Sequence, residues 1–178
     1  NVERLQRLLA DVSLITRMDD GSSSIVMEQV DLSQIIATVA EDRQLIAGAR
    51  GITIRNDVRS ALPMTGNQAL LEAVFNNLLD NAIAYSGGSL VEIKEIYHDD
   101  AKIALSVSDN GTGIPEEHLP RLFERFYRID KGRSRAAGGT GLGLSIVRNA
   151  VVMHGGSITV ENRGGGGLLF RLIFRRDS

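Results

Sequence analysis

Four stretches of this chain carry side chains and spacings suited to a phosphorylated ligand. GGTGLGLS (138–145) places glycines at 138, 139, 141 and 143 just before a helical pattern. Gly138 and Gly143 have the spacing of a Walker phosphate loop, but the lysine that should follow is Leu144. A dinucleotide-binding turn needs a strand immediately upstream, and DKGRSRAAG (130–138) has no strand pattern. What remains is a plain glycine-rich loop, or a hinged one that presents backbone N–H groups at a helix N-terminus.

SVSDNGTGIP (106–115) ends an alternating run at Asp109 and continues through Gly111 and Gly113 to Ile114. A carboxylate fixed at a strand end can accept from an exocyclic amine such as that of adenine. Two glycines let backbone approach a flat ring, and Ile114 offers it an apolar face. The competing reading is an ordinary D-N-G turn. FNNLLDNAIAY (75–85) sets Asn77 and Asn81 at i and i+4, on one helix face, with Tyr85 a further turn on. Carboxamide oxygens suit Mg²⁺, which takes few protein ligands and keeps waters and phosphate oxygens. Two surface asparagines beside a core stripe of Leu71, Val74, Leu78 and Ala82 would read the same way. HLPRLFERFYRIDKGRSRA (118–136) holds six Lys/Arg against two acids, with Phe123, Phe126 and Tyr127 among them. It fits a polyphosphate, or simply a solvated basic loop.

These stretches need elements to position them. Alternation predicts strands over 24–30, 51–58, 90–97, 101–109, 156–162 and 168–174, with a short extended piece at 61–65. Helices are predicted from Asp31, as N-cap with Gln34 in a capping box, to about Ala47, then over 67–85 and from about Gly141 to Met153. Strands meet mostly as hairpins while helices come singly, so the fold class is α+β rather than a doubly wound parallel sheet. Residues 1–20 carry Val2, Leu5, Leu9, Val12, Ile15 and Met18 at spacings of three and four, a seam expected to face a partner helix outside this chain.

The 178 residues carry a net charge of −2, which argues against a general nucleic-acid binder, and no cysteine, which rules out disulfides and thiolate metal sites. No apolar run approaches a membrane span. The chain opens inside a helical pattern without Met, as an excised fragment would.

Taken in order, NNLLDNAIAYS, DNGTGIP, LFERFYRID and GGTGLGLSIV resemble the N box, first glycine box, F box and second glycine box of the catalytic ATP-binding domain of bacterial sensor histidine kinases. That domain belongs to the wider superfamily of gyrase, heat-shock protein 90 and MutL. The resemblance implies a two-layer Bergerat sandwich: one mixed, mostly antiparallel sheet under three helices, with a mobile ATP lid over about 114–140. Residues 1–20 would be the end of a dimerisation helix and 21–178 the catalytic domain. Asn81, with Asn77 beside it, would bind Mg²⁺. Tyr85, Asp109, Gly111, Gly113 and Ile114 would form the adenine side. Arg128 would meet the γ-phosphate, with Lys131 as a further lid cation. Gly139, Thr140, Gly141, Leu142, Gly143 and Leu144 would face the phosphates.

The implied activity is transfer of the ATP γ-phosphoryl group to a histidine on the dimerisation domain. A response-regulator receiver domain would be the downstream partner, within a cytoplasmic portion of a homodimeric, membrane-anchored sensor. Two departures stand out. Ala84 occupies a position where the N box usually has Lys or Arg, and none of His98, His118 and His154 has the acceptor pattern. Hydrolytic superfamily members place a glutamate one turn before the Mg²⁺ asparagine; here it is Asn77, a poor base. An ATPase clamp and a non-catalytic nucleotide-binding module are the alternatives.

Overall fold

The computed structural model describes residues 2–20, 25–129 and 141–177. In chain order these form α1 (Val2–Asp19), β1 (Glu28–Asp31), α2 (Leu32–Ala49), β2 (Thr53–Asp57), β3 (Pro63–Gly66) and α3 (Gln68–Tyr85). After α3 come β4 (Leu90–His98), β5 (Lys102–Asp109), a 3₁₀ helix (Glu116–Arg121), α4 (Gly143–Met153), β6 (Ser157–Asn162) and β7 (Leu168–Arg175). The main sheet has the order β2-β4-β5-β7-β6, with β2 parallel to β4 and every other pair antiparallel. This is the expected mixed, mostly antiparallel sheet. The segments expected at 24–30 and 61–65 supply β1 and β3, which pair with each other as a separate antiparallel ribbon.

Alternation along β7 explains the layering. Leu168, Phe170, Leu172 and Phe174 are buried while Arg171, Ile173 and Arg175 are exposed. Val91, Ile93, Ile103, Leu105 and Val107 continue the buried face, which meets the apolar faces of α2, α3 and α4. The other face is polar and carries pairs such as Arg55–Glu92 at 3.2 Å.

Local signals set the helix starts. Asp31 caps α2 through Ser33 N at 3.0 Å and also accepts from Leu62 N at 2.9 Å, so the cap doubles as a tie to the loop that leads into β3. The cap of α3 is Asn67, whose side chain accepts from Leu70 N at 3.0 Å. Its own N–H donates to Nε2 of His154, 3.1 Å away. His154 is fully buried, and its Nδ1 lies 2.6 Å from Ala150 O. A carbonyl can only accept, so Nδ1 carries the proton and the ring is neutral. One imidazole thus joins the start of α3 to the end of α4.

Burial holds the His154 pKa below its ordinary value of 6.5, against an opposing contribution from Ala150 O. The unfolded chain therefore binds the proton first as pH falls, and stability is lost below about pH 6.5, at up to about 1.4 kcal/mol per unit for this group. Urea unfolding between pH 7.5 and 5.5 should show that loss. A His154→Gln variant should be less stable at pH 7.5 and show a shallower pH dependence.

The helix expected to face away from this chain is divided. Ile15 and Met18 are buried against the chain's own core, with Leu8 packed partly against it. Val2, Leu5, Leu9 and Val12 are 45–70% exposed and lie about 120° around the helix from that docked face. The single seam read from the sequence is two faces, and its C-terminal end packs on this chain. No helix among the described residues is long and apolar enough to cross a membrane.

Candidate functional site

A cleft of about 310 Å³ opens beside α3, the turn after β5, and the N-terminus of α4. That is the low end of the range for small-molecule sites. Helix α3 contributes Asn77, Asp80, Asn81, Ala84 and Tyr85 to its wall. The loop after β5 adds Asp109, Gly113 and Ile114; Arg128 and Tyr127 follow the 3₁₀ helix; Gly141, Gly143 and Leu144 lead into α4. The four stretches singled out by their chemistry converge on this one cleft.

Asp109 ends β5, the central strand, and is 6% exposed. Its Oδ1 accepts from Gly111 N at 2.9 Å and Leu168 N at 3.3 Å, which fixes the carboxylate's orientation. Gly111 and Leu142 do not line the cleft, although both were expected at the ligand. A Cβ on Gly111 would stand 1.9 Å from Ser86 O, so the absent side chain lets the turn after β5 close against the end of α3. Leu142 is buried in the core and its carbonyl starts α4, accepting from Ile146 N at 3.0 Å.

Asn77 and Asn81 share the wall of the cleft but differ in state. Asn77 Nδ2 donates to Ala73 O at 2.8 Å, and a Cβ on Gly143 would lie 2.8 Å from Asn77 Oδ1. The carboxamide of Asn81 makes no hydrogen bond to a described residue. Two carboxamide oxygens on a helix face offer hard donors of the type Mg²⁺ accepts, with water and phosphate oxygens completing the shell. Among the described residues, no group of three His, Asp or Glu side chains is placed to hold a metal by itself. A cation here would depend on its ligand's oxygens.

The basic window divides. Arg121 pairs with Glu124 at 2.9 Å and stacks over the Tyr127 ring at 4.4 Å. Arg125 pairs with Asp19 of α1 at 3.0 Å. Of the three arginines described in this window, Arg128 is the one that lines the cleft. Lys131, Gly139 and Thr140 lie outside the described residues, as does much of the expected lid. The stretch is tied at its base, where Phe126 N donates to Gly141 O at 2.7 Å.

Three further residues serve the site without having been singled out for its chemistry. Asn162, at the end of β6, clamps Ile114 by accepting from its N–H at 3.0 Å and donating to its carbonyl at 2.7 Å. Asn110 accepts from Ser89 N and Leu90 N at 2.8 and 2.9 Å, fastening the loop after α3. Arg7 of α1 lines the cleft and reaches Asp80 at 3.4 Å. The first two are themselves polar residues at a strand end or turn, where backbone clamps are common, whereas Arg7 lies within a helix and has no such signal.

The family model described as histidine kinase-, DNA gyrase B- and HSP90-like ATPase matches residues 66–178, the part of the chain from α3 onward. The chain belongs to this family. Within this ATPase family, it is 39% identical over 170 residues to the sensor-like histidine kinase SenX3 of Mycobacterium tuberculosis, covering 95% of this chain and 41% of that protein. The phosphate regulon sensor protein PhoR of Pseudomonas aeruginosa is 33% identical over 171 residues, covering 96% and 39%. The chain thus spans about two fifths of the length of these curated relatives.

Among solved structures, full-length ShkA in complex with AMPPNP superposes with a TM-score of 0.82 at 27% identity, over 98% of this chain and 36% of that one. The mycobacterial sensor histidine kinase MprB gives 0.71 at 28% identity, over 84% and 97%. The ATPase-family fold is the α+β Bergerat sandwich expected from the four boxes.

Proposed function

We propose that this chain is the ATP-binding catalytic part of a sensor histidine kinase, transferring the γ-phosphoryl group of Mg-ATP to a histidine outside this chain. The observation that carries the reading is the convergence of Asn77, Asn81, Asp109 and Arg128 on one cleft. Similarity to SenX3 and to the AMPPNP complex of ShkA supports it. Mg²⁺ would neutralise charge on the phosphates as they transfer.

In this reading Asp109 orients the adenine amine while Tyr85 and Ile114 cover the ring. Asn81, with Asn77 beside it, holds the cation, and Arg128 stabilises charge on the γ-phosphoryl group. The bond from γ-phosphorus to the β,γ-bridging oxygen breaks and a phosphorus–nitrogen bond to imidazole forms. ADP leaves, and the imidazole loses its N–H proton. Positioning and charge neutralisation do most of the work in such transfers. The chain's own histidines are poor acceptors: His154 is fully buried and bonded at both nitrogens, and His118 contacts Tyr127. His98 pairs with Glu95 at 3.0 Å. Asn77 offers no base to activate water, which favours a kinase over an ATPase clamp.

Residues 1–20 are assigned to the end of the dimerisation hairpin's second helix, supported by the exposed stripe of Val2, Leu5, Leu9 and Val12. The remaining partners follow from likeness to sensor kinases: a receiver domain, and a second copy in a homodimer working on the cytoplasmic side. Mixing this chain with a helical hairpin bearing an acceptor histidine and γ-labelled ATP should yield acid-labile phosphohistidine. Absence of label with ATP bound would instead point to a non-catalytic nucleotide module.

A further inference from the structure

Among the described residues lining the cleft, two are cationic: Arg128 and Arg7. Arg7 comes from α1, outside the 66–178 match, and no box predicts it. Docking of α1 through Ile15 and Met18, with Asp19 paired to Arg125, lays the helix along the cleft. The Arg7 guanidinium rests on Asp80, one turn from Ala84 and adjacent in sequence to Asn81.

The hold on Arg7 is weak and replaceable. Its single bond to Asp80 Oδ2 is 3.4 Å long, and its side chain is about half exposed. Asp80 is already gripped from the other side by Arg43, Nε to Oδ1 at 3.0 Å and Nη2 to Oδ2 at 3.2 Å. Departure of Arg7 therefore strands no carboxylate. Ala84 lines the same wall and brings only a methyl group, so it supplies no charge of its own there. A guanidinium binds phosphate oxygens with planar, paired donors, and prefers a multiply charged group to a carboxylate it must share.

We propose that Arg7 is a polyphosphate contact supplied by α1, which exchanges Asp80 for a phosphate oxygen when nucleotide enters. The proposal rests on the nucleotide reading above. It gives the cleft a second positive charge besides Arg128 and places that charge on α1. Nucleotide occupancy is thereby coupled to the position of α1.

Calorimetry on this chain with Mg-ATP and with adenosine tests the assignment. Arg7→Ala should weaken ATP binding by about tenfold, a charge-assisted bond discounted for exposure, and leave adenosine affinity unchanged. Arg7→Lys should recover part of the loss, as a point charge without the fork. Unchanged ATP affinity in Arg7→Ala would overturn the proposal. So would an equal loss for adenosine, which would give α1 a role in shaping the base pocket only. An unsubstituted chain that binds neither ligand would overturn the nucleotide reading itself, a result distinct from an Arg7→Ala variant that matches an ATP-binding parent.

Discussion

Asn81→Ala is expected to remove the Mg²⁺-dependent part of ATP binding and to lower phosphoryl transfer by about 10²–10³-fold, the scale for deleting one charge-stabilising group. Both asparagines line the cleft, but Asn77 spends its amide nitrogen on Ala73 O, while Asn81 makes no hydrogen bond to a described residue. Asn81 can therefore turn its oxygen to a cation without breaking an internal bond. Asn77→Ala should cost less in Mg²⁺ dependence, because the Nδ2 bond to Ala73 O fixes the direction of its Oδ1 while the Asn81 carboxamide can turn to the cation. Calorimetry with and without Mg²⁺ separates the metal from the base: adenosine affinity should survive in Asn81→Ala. Equal ATP affinity with and without Mg²⁺ in the unsubstituted chain would sink the metal assignment.

Gly167→Ala should be the most disruptive small substitution in the β6–β7 hairpin, costing about 3 kcal/mol or more. Gly167 has φ +95°, a conformation that side chains rarely adopt, and an added Cβ would stand 2.0 Å from Asp109 O and 2.6 Å from its Oδ1. Relief requires moving either the hairpin or the end of β5. Either motion disturbs Leu168 N, which helps to orient the Asp109 carboxylate. Adenosine affinity should therefore fall together with the urea midpoint. Gly165→Ala, two residues away, meets nothing within 4 Å and is the control, expected to shift stability by no more than about 0.5 kcal/mol. Similar midpoints for the two variants would contradict the role given to close approach.

The elements were legible because their signals are local. Alternation marked β4, β5, β6 and β7 to within about two residues, and Asp31 and Asn67 announced the starts of α2 and α3. The cleft was legible because the groups that touch a ligand recur in short motifs. What escaped the sequence depends on pairs far apart in the chain. Asn162 meets Ile114 across 48 residues, Asn67 meets His154 across 87, and Arg7 meets Asp80 across 73. No spacing within one element encodes such partners. The part a glycine plays was legible only to a point, for a related reason. At Gly111 the nearby body is the chain's own Ser86 carbonyl, and sequence alone cannot tell close approach to ligand from close approach to backbone. The seam of α1 was read as one stripe because three-and-four spacing tracks apolar residues without saying which neighbour each will meet.

That division of α1 has a consequence for the energetics. The docked residues Leu8, Ile15 and Met18 and the outward residues Val2, Leu5, Leu9 and Val12 have none in common. The helix is a shared wall between two rooms. Leu5 and Leu8, Leu8 and Val12, and Val12 and Ile15 nevertheless stand three or four residues apart on one helix, so contributions from the two faces should couple where they meet. Communication through the wall can therefore pass by these neighbouring side chains as well as by moving the whole rod.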